Sequence, residues 1–406
     1  MARPSEVQDD LSPASRSWLD ATSARDRKAL GQYLTPRQLA DALVKGLDLE
    51  AGKRVLDPGV GTGELLAAAA RCQPGLELTG WDIDAAALAA ARVNLPDAVL
   101  EERSALDPWK GESFDLVVGN PPYFQFRPDP AVKARFTDVI SGRPNIFAFF
   151  FKVGLEVLRP NGQLAYIVPP SLNSGAYFEA LREYVIANAA LEGLTVLDGT
   201  AHFEGANTAV QILVLRKGPS SDRFLFERQC EGSGFRRVIF TAEPEKLSTG
   251  FEGRRTLWEL GYEATTGTVV WNQRRDELRK AEGEGTVPLV WSHNLKAGEL
   301  DLTSRPGKPR FIESVDPMTG PAVLVNRVVG SVGRGELRTA LVPEGMEFLA
   351  ENHVNVVRPR SGVVPEISWQ ELHELLEDPA AARRIRMLTG NTQISARELT
   401  HLLPLG

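Results

Sequence analysis

Residues 114–127 read FDLVVGNPPYFQFR, and the fold turns on how that stretch is read. An apolar run suited to a buried strand ends in Asn120-Pro121-Pro122-Tyr123. Two consecutive prolines can neither donate to a sheet ladder nor continue a helix, so the strand must stop there. The spacing predicts that Asn120 and Tyr123 emerge at the strand's carboxyl end in a stiff turn. An amide, a rigid carbonyl and an aromatic ring are thereby held together.

Outward from this stretch, strand and helix patterns alternate from about residue 36 to 217. Apolar strands are predicted at 54–58, 77–83, 98–102, 114–120, 163–169, 194–198 and 208–215. Helical stretches fall between them, at PRQLADALVKGL, GELLAAAARC, DAAALAAARVN, NIFAFFFKVGLEVL and FEALREYVIANA. Such alternation predicts an α/β fold with an open, mostly parallel sheet and helices on both faces. Ligands bind at the carboxyl ends of such strands. After GPSSD (218–222), a polar linker, the texture is less periodic and richer in Arg, Gly and Pro. The expected organisation is a lead-in over 1–30, a first domain over 31–220 and a second over 221–406.

The chain has 406 residues, enough for two cores, with 43% hydrophobic and 24% charged residues. There is no apolar run of membrane-spanning length and no apolar segment of a signal peptide at MARPSEVQDD, so no membrane association and a cytoplasmic location are expected. Two cysteines, Cys72 and Cys230, exclude a disulfide framework or a thiolate metal site, and no metal is expected. A net charge of −7 argues against a globally basic coat while leaving room for a basic cleft.

The first strand runs into Asp57-Pro58-Gly59-Val60-Gly61-Thr62-Gly63, then a helix; the second ends in Trp81-Asp82-Ile83-Asp84. A glycine-rich turn between strand and helix admits a ligand close to the backbone, and a carboxylate at the next strand's end suits a ribose diol. Both features also occur in dinucleotide enzymes. The glycine spacing here is G-x-G-x-G, however, and Asp57 would repel a pyrophosphate. An acidic loop suits a cation bearing an ammonium and a sulfonium, namely S-adenosylmethionine. The plain alternative is a tight strand-to-helix turn with no ligand.

An exocyclic amine on an aromatic base is a poor nucleophile because its lone pair is delocalised into the ring. Two acceptors aimed at its hydrogens would bend it toward tetrahedral geometry: the Asn120 side-chain oxygen and the Pro121 carbonyl, stiffened by Pro122. Tyr123 offers a ring face on which a flat base can stack, worth roughly 1–3 kcal/mol. The plain alternative is a strand terminator followed by an ordinary aromatic residue.

The ordered set GQYLTP (31–36), DPGVGTGELL (57–66), WDID (81–84) and GNPPYFQFR (119–127) resembles the TaqI-like adenine-N6 DNA methyltransferases of restriction-modification systems, with the motif order of the gamma type. The likeness extends to VPPSLNSG (168–175) and AHFEGANTAVQILVL (201–215). It implies a Rossmann-like S-adenosylmethionine-dependent methyltransferase sheet followed by an α+β DNA-recognition domain. The implied reaction is methyl transfer to N6 of an adenine flipped out of double-stranded DNA. The implied partners are that DNA and a cognate restriction endonuclease, with the enzyme acting as a monomer.

By this resemblance Thr35 touches the methionine end of the cofactor; its ordinary role would be a helix N-cap before Pro36. Asp57, Gly59 and Gly61 line the cofactor, Asp82 and Ile83 sit at its ribose, and Phe150 packs on its adenine. Phe150 also stands at helical spacing with Phe147, which suits plain core packing equally. Phe203 is implied to touch the target base edge-on, opposite Tyr123. Two positions depart from the family pattern. Gly59 stands where Ala is usual, and Ser104 stands where an Asp usually binds the adenine amine, with Asp107 as its alternative.

The basic clusters Arg236 and Arg237, Arg274 and Arg275, Arg305 through Arg310, and Arg327 through Arg338 are expected to grip phosphates, with some reading guanine edges in the major groove, or else to form a solvated surface. Competing readings share the planar-amine chemistry: an RNA base methyltransferase, or a protein-glutamine methyltransferase, whose usual layout puts a small helical domain first. A non-catalytic binding module is the reading from another class, and the intact Asn120–Tyr123 turn and Asp57 argue against it.

Overall fold

The computed structural model describes residues 10–110, 114–142, 144–173, 176–197, 210–303, 307–313, 316–327, 337–389 and 394–406. The chain divides into two compact units, one of residues 1–226 and 238–244, the other of 227–237 and 245–406.

The first unit is built on a seven-stranded sheet. Its strands are β1 (Arg54–Asp57), β2 (Glu77–Asp82), β3 (Val99–Glu102), β4 (Phe114–Gly119), β5 (Leu158–Val168), β6 (Ala189–Val196) and β7 (Gln211–Lys217), in spatial order β3-β2-β1-β4-β5-β7-β6. All neighbours are parallel except β7, which runs antiparallel to both β5 and β6. The strand order reverses between β1 and β4, and a crevice opens at the carboxyl ends of strands at such a point.

Period-two alternation explains why helices cover both faces. Along β4 and β5, Val117, Leu164, Tyr166 and Val168 enter one core with the helices Phe147–Val157 and Glu179–Asn188. Leu116, Val118, Ala165 and Ile167 point the other way, into a core with the helices Arg37–Val44 and Glu64–Cys72. Phe147–Val157 is apolar nearly all round and correspondingly buried.

Two predicted starts were too late. β5 begins at Leu158, because the chain pairs with Phe114 before a bulge that re-registers Gln163 on Leu116. β6 begins at Ala189, where pairing to Lys217 overrides the weak strand preference of its alanines. The lead-in is helical and docked: Pro13–Ala21 is capped by Ser12, and Ser15 donates to the Thr62 hydroxyl at 2.7 Å.

The polar GPSSD segment does not end the first unit. Residues 238–244 return to it, where Val238 and Phe240 join its core. The Asn173 amide bonds both ways to the Phe240 backbone, at 2.7 and 2.9 Å.

The second unit is α+β. A four-stranded antiparallel sheet of Tyr262–Thr266, Val354–Pro359, Ala322–Asn326 and Thr339–Val342 carries the helices Trp369–Glu377, Pro379–Thr389 and Ala396–His401 over one face, through Leu372, Leu376, Ile385 and Leu399. A second, five-stranded sheet includes Thr286–Val290 and Glu347–Ala350. Among the described residues no helix is long and apolar enough to cross a membrane, and no cluster of His, Cys, Asp or Glu could hold a metal ion.

Candidate active site at the sheet's switch point

Asp57 ends β1 and Asn120 follows β4, so the reversal of strand order brings the acidic glycine loop and the NPPY turn to opposite sides of one crevice. A cavity of about 380 Å³ opens there, lined among others by Gly59, Gly61, Asp82, Ser104, Asn120 and Phe150. Ile83, 58% exposed, also borders it. A smaller cavity reaches Thr35, Asp57 and Asn120. The structure therefore brings together Thr35, Asp57, Gly59, Gly61, Asp82, Ile83, Ser104, Asn120 and Phe150, which the sequence singled out. Phe203 lies outside the described residues.

Asp57 is buried, and Gly59 N–H donates to its carboxylate at 3.0 Å. Burial pushes the Asp57 carboxyl up to about 7; the Gly59 hydrogen bond opposes the rise and the charge of Asp82 adds to it. Asp82 accepts from Gly61 N–H at 2.8 Å and Asp84 N–H at 2.9 Å. It too is raised, chiefly by burial, against those backbone bonds. Among the described residues neither carboxylate has a basic partner. Two buried acids, Asp82 on the larger cavity and Asp57 on the smaller, both beside Gly59 and Gly61, could receive a cation and hydroxyl donors.

Phe150 is buried in the sheet's core, as plain packing requires, and also forms part of the cavity wall. A Cβ built on Gly59 would lie 3.2 Å from its ring, so even alanine there would require the ring to give way. The Ser104 hydroxyl accepts from Leu106 N–H at 3.1 Å, and Asp107 accepts from Ser104 N–H at 3.2 Å. Ser104 lines the cavity while Asp107 braces the turn behind it.

At the NPPY turn the Asn120 amide donates to the Tyr33 carbonyl and the Thr35 hydroxyl, both at 3.2 Å. Its oxygen receives the Tyr123 hydroxyl at 2.6 Å, and that hydroxyl also lies 2.7 Å from the Ile167 carbonyl. Tyr123 is thus anchored inward, its ring edge-on to Phe147, and burial raises its hydroxyl well above the ordinary range. Among the described residues nothing donates to the Pro121 carbonyl.

Thr35 does not cap the following helix. Pro36 occupies the N-cap of Arg37–Val44 and makes no side-chain bond to it; the Asp10 carboxylate instead accepts from Gln38 N–H at 2.8 Å. Sequence reasoning missed Tyr33 and Arg103. Tyr33 contributes through its backbone, which no side-chain signal reveals. Arg103 lines the cavity with its guanidinium 4.3 Å from the Trp81 ring and 5.2 Å from the Trp109 ring, a stack that the sequence reveals only once β2 and β3 are paired.

Residues 79–203 match the Eco57I restriction-modification methylase family. Over 343 residues the chain is 24% identical to the type II methyltransferase M.CvrRI of Paramecium bursaria Chlorella virus XZ-6E, covering 82% of this chain and 84% of that one. A shorter match, 32% identical over 42% of this chain and 63% of the relative, is to the release factor glutamine methyltransferase of Caulobacter vibrioides. Among solved structures, a type I restriction-modification methyltransferase subunit from Streptococcus thermophilus aligns over 56% of this chain and 55% of its own, at 20% identity and a TM-score of 0.41.

Proposed function

We propose, from the chain's likeness to restriction-modification DNA methyltransferases, that it transfers a methyl group from S-adenosylmethionine to the N6 amine of an adenine turned out of double-stranded DNA. The observation that carries the reading is the position of Asn120 and the Pro121 carbonyl at the end of β4, across the switch point from Asp57 at the end of β1.

The residues present fit that cofactor. Asp57 and Asp82 suit an ammonium and ribose hydroxyls, Gly59 leaves the backbone open beside Phe150, and Ser104 offers a hydroxyl to an adenine edge. When bound, the cofactor would supply a methyl group on an electron-poor sulfonium. Asp57, poised near 7 in the free protein, becomes the more acidic as a cation approaches it, so binding a positive ligand releases a fraction of a proton.

The chain's part in transfer is orientation. The second lone pair of Asn120 Oδ1 and the Pro121 carbonyl accept the two amine hydrogens, and Pro122 keeps that carbonyl from turning away. Neither acceptor is a strong base; each stabilises the positive charge that develops on nitrogen. Tyr123 supplies the ring beside the base, and Phe203 is assigned the opposite edge. Turning the adenine out of the duplex costs a few kcal/mol, which contacts elsewhere on the protein must offset. The second unit is the proposed source, as the target-recognition domain. A restriction endonuclease cutting the same sequence is the corresponding partner.

The same two acceptors fit the amine of an RNA base or the amide of a glutamine, so the test has three arms. Labelled S-adenosylmethionine is supplied with unmethylated genomic DNA, with RNA and with a glutamine-bearing protein, and the modified DNA is mapped by single-molecule sequencing. Label at N6 of adenine within one short DNA sequence is expected. Label entering RNA or protein alone overturns the reading.

A further inference from the structure

We propose that Thr35, together with the Tyr33 carbonyl, is a cradle that fixes which way the Asn120 carboxamide faces, so that Thr35 acts on the transfer step through Asn120. The inference rests on the reaction proposed above. An asparagine side chain has two nearly isosteric ends, and a methyl-accepting amine needs its oxygen; the surroundings must choose.

The Tyr33 carbonyl, which can only accept, makes the choice, and the Thr35 and Tyr123 hydroxyls complete the set around it. The two N–H bonds of Nδ2 are taken up by the Tyr33 carbonyl and the Thr35 hydroxyl at 3.2 Å each, while Oδ1 receives the Tyr123 hydroxyl at 2.6 Å and retains a second lone pair. Turning the amide over would set its oxygen against the Tyr33 carbonyl, two acceptors with no proton between them, and would force the Thr35 and Tyr123 hydroxyls to exchange donor and acceptor roles. The Thr35 hydroxyl is buried and takes no part in capping the helix that begins after Pro36.

The cradle's distance from the turn is also built in. Gly31, at φ +63°, lies so close that an added Cβ would stand 2.8 Å from the Phe124 ring and 3.1 Å from Pro122. Any side chain there would wedge the Gly31–Thr35 segment away from the NPPY turn. The arrangement also explains why position 120 carries an amide. An ionised aspartate would direct an anionic oxygen at the Tyr33 carbonyl.

The test uses the full chain, with turnover on DNA at saturating cofactor measured beside cofactor affinity by calorimetry. Thr35→Val, which keeps the shape and removes the acceptor, should lower kcat about tenfold while cofactor Kd stays within about twofold; Thr35→Ser should restore most of the loss. Asn120→Asp should lose on the order of a hundredfold at pH 8, where the ionised carboxylate has no proton to offer the Tyr33 carbonyl. If Thr35→Val instead weakens cofactor binding at unchanged kcat, Thr35 is a direct cofactor ligand and the cradle is wrong. The cradle is equally overturned by a Thr35→Val that changes neither quantity, or by full Asn120→Asp turnover at pH 8. A wild-type chain that methylates no DNA sinks the proposed function, whereas a working wild type with an unaffected Thr35→Val sinks the cradle alone.

Discussion

The crevice of the first unit and the surface of the second treat charge in opposite ways. Asp57 and Asp82 line adjoining cavities with backbone N–H groups as their partners. In the second unit Arg236 pairs with Glu227 at 2.8 Å, Arg228 with Glu259 at 2.6 Å, and Arg255, Arg274 and Arg279 with Glu366, Glu277 and Glu313. Arg237 is buried 3.6 Å from Glu398. A charge that serves the fold is best neutralised where it stands, whereas one held without a counter-ion is costly and persists where a ligand supplies the opposite sign. The contrast separates a candidate binding crevice from a scaffold without reference to any motif.

The largest expected effect lies in the crevice. Asn120→Ala removes an acceptor that nothing nearby can replace and should reduce methyl transfer at least a thousandfold, with cofactor Kd within about threefold. Turnover within tenfold of wild type would show that the NPPY amide is a strand terminator only. Next is Tyr123, whose ring and hydroxyl have separable roles. Tyr123→Ala should cost about a hundredfold in kcat/KM, and Tyr123→Phe about tenfold, because the latter keeps the ring and frees Asn120 Oδ1 of its donor. Equal losses would place the whole contribution in the hydroxyl and remove stacking from the account.

A smaller effect, of unusual sign, belongs to Asp57. An acid whose carboxyl rises on folding binds more protons folded than unfolded, so between about pH 4 and 7 it makes the fold less stable as pH increases. Asp57→Asn keeps the shape and can still accept from Gly59, so at pH 8 it should raise Tm by several degrees while weakening cofactor binding. In the wild type, cofactor Kd should fall as pH rises through 7; in Asp57→Asn that slope should flatten. A variant that lowers Tm would show that the carboxylate stabilises the free protein.

Much of the first unit was legible in the sequence because its signals are local. β1, β2 and β4 end within one residue of their predicted ends, since a glycine loop, WDID and a proline pair stop a strand from within. The crevice was legible for the same reason: Asp57, Asp82 and Asn120 each sit at such an end. The contacts of Thr35 and Tyr33 with Asn120 were not, because the bond between Thr35 and Asn120 spans 85 residues and ends on atoms that any residue pattern permits. The second unit's arginines were illegible for a related reason. Arg237 and Glu398 meet across 161 positions, and Arg236 and Glu227 across a hairpin, so what reads as a basic cluster is half neutralised by acids that lie elsewhere in the chain. Arg305, and most of the segment from Arg327 to Arg338, lie outside the described residues.

The smallest effects test whether pairing really withdraws an arginine from DNA. Arg274 is tied to Glu277, while its neighbour Arg275 is exposed beside the Trp271 ring, 5.4 Å from its centroid. If the second unit grips phosphates, Arg275→Ala should weaken DNA binding about threefold and lower the magnitude of its salt dependence by about one ion. Arg274→Ala should leave that slope unchanged and change stability little. Equal changes in slope for the two variants would mean that the Glu277 pair opens when DNA binds. Charge pairing in the free protein would then say nothing about which arginines engage the duplex, and the contrast between crevice and scaffold would hold for carboxylates alone.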